Sequence, residues 1–166
     1  MKKIYARELT MESFKVYGTF SAMINPQAAK LGAGITEFYR DMELLNLGKT
    51  TIASFSVTHV NKRPNIVAAV EYHSFTGEGF LPLDSDVLIH VGPATRNGDV
   101  PLDRLEAFYV PKGTLVILRP GVWHGAPFAY ESDEANILVV LPERTYANDC
   151  FVQRLAEEEK VEIVRA

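Results

Sequence analysis

Short β-rich runs separated by turn residues dominate the chain from residue 51 onward. In the run TIASFSVTHV, apolar and hydroxyl side chains alternate, which is the pattern of a half-buried β-strand. Proline, glycine or asparagine bounds each of the runs that follow, which are IVAAVEYHSF, FLPL, DVLIHVGP, LEAFYV, TLVIL and ANILVVL. About seven short strands with a turn roughly every ten residues predict an all-β protein, either a closed barrel or a sandwich, and not alternating βαβ units.

A short helix is predicted ahead of these strands, in the segment TMESFKVYG. Thr10 is a suitable N-cap, Glu12 places negative charge in the first turn, and Gly18 suits the end of the helix. Residues 21–50 carry scattered glycines, so we expect a loop there, with one strand around residues 35–39.

A second helix is predicted at the C-terminal end, in the segment DCFVQRLAEEE, with Asn148 or Asp149 as its cap. The run Glu157-Glu158-Glu159 then forms a solvated helix face. The chain shows no internal repeat, low-complexity tract or linker, so one domain spanning residues 1–166 is expected.

Composition limits the classes of function. Hydrophobic residues make up 47% and charged residues 23% of the 166 residues, as in ordinary globular domains. The net charge is -4 and no basic stripe occurs, so no nucleic-acid partner is expected. We find no secretory signal and no run long enough to span a membrane. Cys150 is the single cysteine, which excludes an internal disulfide and favours a cytoplasmic location.

Two clusters of polar residues stand out against the apolar strands. The first is Glu71-x-His73, followed by Glu78. Residues two apart on a strand share a face, so Glu71 and His73 are predicted to point in the same direction. A carboxylate on an inward face is costly unless it is paired, hydrogen-bonded or bound to a metal. In the second cluster, a strand ends at Pro120-Gly121 and the next strand delivers His124.

These clusters resemble the two sequence motifs of the cupin superfamily. In that comparison Glu71 takes the place of the first histidine, His73 is the second, Glu78 is the acidic ligand and His124 is the last ligand. The resemblance implies an antiparallel β-barrel of the double-stranded β-helix or jelly-roll type, and a divalent metal held by these four residues. Two imidazoles with one or two carboxylates suit Zn, Mn, Fe or Ni. The alternative is a hydrogen-bonded polar pocket without a metal.

A narrower resemblance covers nearly the whole chain and identifies it as similar to the ureidoglycolate lyase family of cupins. The matching stretches are Glu12-Ser-Phe14, Tyr17-Gly18, Gly34-Ile-Thr-Glu-Phe-Tyr39, Glu71-x-His73, Gly79-Phe80-Leu81-Pro82-Leu83, Leu105-x-Ala-Phe108, Gly121-Val-Trp123-His124 and Asn148-Asp149-Cys150. The resemblance implies a C–N lyase that splits ureidoglycolate, a small carboxylate substrate, into glyoxylate and urea. It also implies a homodimer. The residues expected to act in catalysis are Glu71, His73, Glu78 and His124.

Three positions depart from the pattern of that family. The family usually has glutamine where Glu78 stands, often a second histidine where Gly125 stands, and tyrosine where Leu118 stands. All three are expected to line or flank the pocket, which leaves a changed substrate open. Two other classes of function therefore stay in view. One is a different metal-dependent cupin enzyme, an isomerase or a dioxygenase, and the other is a non-catalytic cupin that binds a small molecule.

Three further polar residues are candidates for the site. His59 shares a strand face with Phe55 and is expected to be a core or rim histidine. His90 is on the opposite strand face from Ile89, so it is predicted to point outward or to lie at an interface. Arg119 is either a clamp for a carboxylate or part of a surface ion pair.

Overall fold

The computed structural model describes residues 1–165, and Ala166, the last residue of the expected domain, lies outside the described residues. Two short α-helices and a 3-10 turn accompany the strands: α1 (Met11–Phe14), α2 (Thr145–Asn148) and the turn Glu157–Glu159. The strands are β1 (Lys2–Glu8), β2 (Gly18–Ala22), β3 (Ala53–Asn61), β4 (Ile66–Val67), β5 (Ala69–Tyr72), β6 (Glu78–Pro82), β7 (Val87–Val91), β8 (Glu106–Val110), β9 (Thr114–Leu118), β10 (Phe128–Ala129), β11 (Glu134–Pro142), β12 (Phe151–Arg154) and β13 (Val161–Val164).

These strands form two large sheets and one ribbon. The six-stranded sheet has the order β10-β7-β8-β1-β13-β4, the five-stranded sheet has the order β2-β9-β6-β11-β3, and β12 pairs with β5. The pairings are antiparallel except at β1, which lies parallel to both β8 and β13. The all-β cupin barrel predicted from the sequence is therefore confirmed, and the chain adds a parallel N-terminal strand to the expected antiparallel set.

Side chains from both large sheets meet in the barrel interior. Phe108 and Ile89 project from the six-stranded sheet, and Val116 and Ile137 project from the five-stranded sheet into the same apolar cluster. All four are nearly or fully buried. Burial of such side chains supplies the main driving force for closing the two sheets on each other.

A second apolar cluster covers the other face of the six-stranded sheet. Leu88 and Ala107 alternate with interior residues along β7 and β8, and they pack with Trp123 and Val70 on this outer side. Strand β7 is consequently buried on both faces. The prediction that His90 points outward is wrong for this reason, since only 2% of His90 is exposed.

The N-terminal helix is confirmed but is shorter than expected. Thr10 caps α1 in a capping box, in which its hydroxyl accepts the Ser13 N–H at 3.1 Å and the Ser13 hydroxyl accepts the Thr10 N–H at 3.2 Å. The helix ends at Phe14, and Gly18 begins β2 instead of ending the helix. A Cβ at Gly18 would lie 1.8 Å from the Ile117 carbonyl oxygen, so only glycine allows this close strand pairing.

The predicted C-terminal helix over DCFVQRLAEEE is wrong. Residues Phe151–Arg154 form β12, and Val161–Val164 form β13 between β1 and β4. Pairing with β5 gives β12 backbone hydrogen bonds that outweigh a weak local helix preference. The short helix near this end is α2, which precedes the predicted segment.

Two further features complete the description of the fold. The prediction of a strand around residues 35–39 is wrong, because this segment forms only an isolated bridge between Leu31 and Phe38. No helix within residues 1–165 combines the length and the apolar character that a membrane crossing requires.

Candidate active site

A backbone bridge joins the two polar clusters of the sequence. The Glu71 N–H donates to the His124 carbonyl oxygen at 2.7 Å, and the His124 N–H donates to the Glu71 carbonyl oxygen at 2.8 Å. His73 follows directly after β5, and Glu78 is the first residue of β6. The turn between these two strands and the Glu71–His124 bridge thus bring side chains from residues 71–78 next to His124.

Three of the four predicted site residues converge on one point. Oε2 of Glu78 lies 3.0 Å from Nε2 of His73 and 3.1 Å from Nε2 of His124. The candidate ligand atoms of the three residues all lie within 4.8 Å of one another. Their side chains are buried, with exposures of 2% for His73, 7% for His124 and 13% for Glu78.

The second nitrogen of each imidazole is bound to the backbone. Nδ1 of His73 lies 2.6 Å from the Asp149 carbonyl oxygen, and Nδ1 of His124 lies 2.8 Å from the Val122 carbonyl oxygen. A carbonyl oxygen only accepts, so each Nδ1 carries the proton and donates. In the neutral rings both Nε2 atoms therefore direct a lone pair at the position that Glu78 occupies. This arrangement, with Nδ1–H held by a carbonyl, is usual for metal-binding histidines, and the three residues fit a divalent metal.

The electrostatics of this group favour charge separation in the absence of a metal. Burial raises the pKa of Glu78, but the charges and hydrogen bonds of His124 and His73 outweigh it and lower the pKa to about 2. Burial lowers the pKa of His124, but the charge and hydrogen bond of Glu78 outweigh it and raise the pKa to about 9. Near neutral pH the metal-free site thus holds a Glu78 carboxylate against a His124 imidazolium.

Asp149 holds the turn that carries His73 in place. The sequence did not predict this role. Its carboxylate accepts the N–H of Ser74 at 2.7 Å and the N–H of Phe75 at 2.8 Å, and its own carbonyl receives the His73 proton. These bonds fix the turn that carries His73. The only signal in the sequence was the Asn148-Asp149-Cys150 match to the family, and Asp149 was assigned instead to capping a helix that does not form.

Glu71 lies apart from this three-residue group. Its Oε2 accepts a hydrogen bond from the Cys150 thiol at 3.3 Å, and its side chain lines the cavity beside the group. Burial raises the pKa of Cys150, and the Glu71 carboxylate raises it further, to about 12. The thiol is therefore protonated near neutral pH and acts as a donor to Glu71, which does not suit a nucleophile.

A cavity of about 160 Å³ lies inside the barrel next to these residues. It is smaller than the roughly 300–1,000 Å³ of sites for drug-sized ligands, so it suits a small molecule. None of the residues that line it within the described chain is a lysine or an arginine. Its lining comprises Thr58, Glu71, Glu78, Phe80, Ile89, His90, Leu118, His124, Gly125, Ala126, Pro127, Ile137, Val139 and Tyr146.

The three positions that depart from the family pattern, Glu78, Leu118 and Gly125, all line this cavity. At Gly125 the missing side chain leaves room for His90. A Cβ at position 125 would lie 3.0 Å from Nε2 and 3.1 Å from Cε1 of His90. Within residues 1–165, neither ring nitrogen of His90 has a hydrogen-bond partner.

The polar candidates His59 and Arg119 lie away from the cavity. The exposed His59 contacts Asn136, with 2.9 Å between Nδ1 and Oδ1, on the outer face of β3. Arg119 donates to the backbone carbonyls of Lys15 and Val16, so it holds the end of α1 and contributes nothing to the cavity.

The sequence of this chain is similar to those of known proteins. The sequence model of a family described as ureidoglycolate lyase matches residues 1–163. A ureidoglycolate lyase from Rhodobacter capsulatus is 28% identical over 127 residues, which cover 75% of this chain and 78% of that protein. A ureidoglycolate lyase from Schizosaccharomyces pombe is 27% identical over 175 residues, covering 92% and 91%. Among solved structures, a dTDP sugar isomerase from Desulfovibrio desulfuricans aligns with a TM-score of 0.46 at 16% identity, over 85% of each chain. The match over residues 1–163 shows that the chain belongs to the ureidoglycolate lyase family.

Proposed function

We propose that this protein cleaves ureidoglycolate into glyoxylate and urea. The observation that carries the proposal is the convergence of His73, Glu78 and His124 beside a small cavity, in a chain of this family. Both relatives compared above are named ureidoglycolate lyase. Family membership favours lyase activity over isomerase activity, dioxygenase activity or ligand binding without catalysis.

The reaction requires one proton to move from oxygen to nitrogen. Ureidoglycolate is a hemiaminal, and its C–N bond breaks as the hydroxyl loses a proton and becomes the carbonyl of glyoxylate. The electron pair of the broken bond stays on the urea nitrogen, which must gain a proton. A single carboxylate that accepts the hydroxyl proton and returns it to nitrogen balances the step.

Glu71 is the better placed of the two glutamates to carry this proton. Glu78 is held between two imidazoles and has a pKa near 2, which makes its carboxylate a weak base. Glu71 lines the cavity, and among the described residues only the Cys150 thiol donates to its carboxylate. We therefore assign the general base to Glu71, and we assign His73, Glu78 and His124 to holding the substrate or a metal.

The three-residue group suits a divalent metal with nitrogen and oxygen ligands. Zn, Mn, Fe and Ni all accept two imidazoles and a carboxylate. When bound, such an ion would hold the substrate carboxylate and stabilise the negative charge that develops on the hydroxyl oxygen. Among residues 1–165 no lysine or arginine lines the cavity, so a metal held by this group would supply the positive charge that a carboxylate substrate needs.

The activity is tested by incubating the purified protein with racemic ureidoglycolate and measuring glyoxylate and urea together. A reaction without protein corrects for spontaneous breakdown of the hemiaminal. We expect both products in equal amounts, loss of activity after chelation, and recovery with one of Zn, Mn, Fe or Ni. Equal activity before and after complete metal removal would contradict the metal assignment, and no product under any metal would contradict the lyase assignment.

The assembly and location belong to the same proposal. We propose a homodimer, because β3 is an edge strand of nine residues that exposes Phe55 and Val57. We propose a cytoplasmic location because a single cysteine fits a reducing compartment. Exposed edges of this kind are normally covered. Size-exclusion chromatography with light scattering should give twice the mass of one chain, and a clean monomer at micromolar concentration would contradict the dimer.

A further inference from the structure

Tyr146 is an aromatic residue at the opening of the barrel cavity. It lines the cavity together with Glu71 and Glu78, although 62% of the residue is exposed. The side chains of His73, Glu78 and His124 are buried by comparison, with at most 13% exposed. This difference in exposure gives the cavity a direction, from the buried three-residue group at its inner end to Tyr146 at its opening.

The segment that carries Tyr146 is fixed to the site at both ends. The Thr145 hydroxyl donates to the Pro142 carbonyl oxygen at 2.8 Å. At the end of α2, the Asp149 N–H donates to the Thr145 carbonyl oxygen at 2.8 Å, and the Asp149 carbonyl oxygen accepts the Nδ1 proton of His73. One short stretch of backbone therefore places Tyr146 at the opening of the cavity and holds an imidazole at the inner end.

The Tyr146 hydroxyl supplies a hydrogen-bond donor where the cavity offers mainly acceptors. Glu71 and Glu78 line the cavity with carboxylates, which only accept hydrogen bonds. Among the lining residues in the described part of the chain, Thr58 and Tyr146 are the two with a hydroxyl. Thr58 lies within β3, in the wall of the barrel. Tyr146 is therefore the hydroxyl donor at the opening.

The surroundings of Tyr146 keep its hydroxyl protonated. Burial raises the pKa of the phenol, and the negative charges of Glu78 and Glu71 raise it further, to about 12. A phenol with this pKa carries its proton near neutral pH. It can donate a hydrogen bond without giving the proton up.

We propose that Tyr146 is a catalytic residue that donates a hydrogen bond to the carbonyl oxygen of the departing urea. This inference rests on the proposed function, in which the substrate carboxylate lies at the inner three-residue group and Glu71 accepts the hydroxyl proton. The ureido group is attached to the same carbon as the carboxylate and the hydroxyl. It therefore extends toward the opening, where Tyr146 lies.

This hydrogen bond strengthens as the C–N bond breaks. The electron pair of that bond passes to the urea nitrogen and is shared with the urea carbonyl oxygen, while Glu71 holds the proton taken from the hydroxyl. The Tyr146 hydroxyl stabilises the negative charge on the oxygen and keeps its own proton, and Glu71 then returns its proton to the nitrogen. Because the charge develops only in the transition state, Tyr146 should act on kcat more than on KM.

The first test is Tyr146→Phe, which removes the hydroxyl and keeps the ring. Tyr5→Phe is the matched control, because 63% of Tyr5 is exposed and it lies on β1, outside the cavity lining. We expect kcat for ureidoglycolate to fall by about 10- to 100-fold in Tyr146→Phe, the effect of one lost hydrogen bond to a charged group, with KM within about threefold of wild type. Tyr5→Phe should match wild type, and all three melting temperatures should agree.

The second test detects contact without catalysis. N-carbamoylglycine carries the ureido group and the carboxylate but lacks the hydroxyl, so this reaction cannot cleave it, and glycolate lacks the ureido group. Tyr146 is the one tyrosine among the cavity-lining residues of the described chain. Saturating the zinc-loaded protein with N-carbamoylglycine should therefore perturb the ultraviolet absorption of a single tyrosine, and Zn²⁺ has a filled d shell that adds no band of its own.

We expect this difference spectrum in wild type and Tyr5→Phe, and we expect it to be absent in Tyr146→Phe and with glycolate. Calorimetric titration sets the concentration that saturates each protein. Equal kcat in wild type and Tyr146→Phe would overturn the proposal, as would a loss confined to KM or a spectrum that persists in Tyr146→Phe.

A wild-type protein that releases no glyoxylate would instead contradict the proposed lyase activity. In that case, a difference spectrum present in wild type and absent from Tyr146→Phe would still support contact between Tyr146 and the ureido group. No difference spectrum in wild type saturated with N-carbamoylglycine would overturn that contact.

Discussion

Glu71 and His124 exchange two backbone hydrogen bonds, of 2.7 and 2.8 Å, although they are 53 positions apart in the chain. The same bridge sets the Glu71 carboxylate beside the cavity and directs Nε2 of His124 toward Glu78. Two segments with unrelated sequence patterns thereby become one site. The bridge uses only main-chain atoms, so the side chains at both positions can be replaced without removing it.

The division of roles between the glutamates predicts distinct behaviour for Glu71→Gln. This substitution removes the base but keeps the backbone bridge and the shape of the side chain. We expect kcat to fall by about 100-fold or more, the usual contribution of general base catalysis, with metal content unchanged. Glu78→Gln should instead lower metal content, measured by elemental analysis. If Glu71→Gln lost the metal, Glu71 would be a ligand and its assignment as base would be wrong.

Asp149 is predicted to support metal binding without touching the metal. In Asp149→Ala the N–H groups of Ser74 and Phe75 lose their acceptor, which frees the turn that carries His73. We expect metal affinity to fall by about 10–100-fold, as for other residues that orient ligands, and the free energy of unfolding to fall by roughly 1–3 kcal/mol. Competition with a chelator and urea denaturation measure the two effects.

Asp149→Asn is the matched control, because its side-chain oxygen still accepts one of the two N–H groups. It should fall between wild type and Asp149→Ala in both measurements. Wild-type metal affinity in Asp149→Ala would show that His73 is positioned without this carboxylate.

Much of the architecture was readable from the sequence, because it depends on local patterns. Alternation in TIASFSVTHV and the turn residues between the runs predicted the strands that form the barrel, and the Thr10 cap predicted α1. His73, Glu78 and His124 were identified as site residues from the same patterns and from the family resemblance, and the structure brings them together.

The errors arise where tertiary contacts outweigh local preference. The segment Phe151–Arg154 has a helical composition but pairs with β5, a partner 79–85 positions away that no local pattern indicates. The alternation of residues along β7 correctly predicted that His90 and Ile89 lie on opposite faces of the strand. It could not show that a second apolar layer covers the face on which His90 lies. The role of Asp149 depends on a chain reversal that places it behind His73, which sequence spacing does not reveal.

Burial of neutral His90 also predicts a pH dependence of stability. Its pKa is lowered from 6.5 to about 3 in the folded protein, so between these pH values the unfolded chain binds a proton that the folded chain excludes. Protonation therefore favours unfolding, and the His90 contribution is lost as pH falls below 6.5. Between pH 6.5 and pH 5 the free energy of unfolding should fall by about 2 kcal/mol through this residue.

The contribution of His90 is isolated by comparing wild type with His90→Leu in urea denaturation at pH 7.5, 6.5 and 5. His124 and Glu78 titrate in both proteins, so their effects cancel in the difference. The stability advantage of His90→Leu over wild type should grow as the pH falls. A difference that stays constant with pH would mean that His90 is protonated equally in the folded and unfolded states.

We propose that the site formed by Glu71, His73, Glu78 and His124 cleaves the C–N bond of ureidoglycolate. This proposal is tested most directly by the rate of glyoxylate release by wild type, His124→Ala and His59→Gln. His59 is the matched control because it is an exposed histidine on the outer face of β3. We expect glyoxylate release by wild type, an unchanged rate in His59→Gln and a rate at least about 100-fold lower in His124→Ala. Release by His124→Ala at the wild-type rate would place the chemistry elsewhere and contradict the assignment of this site.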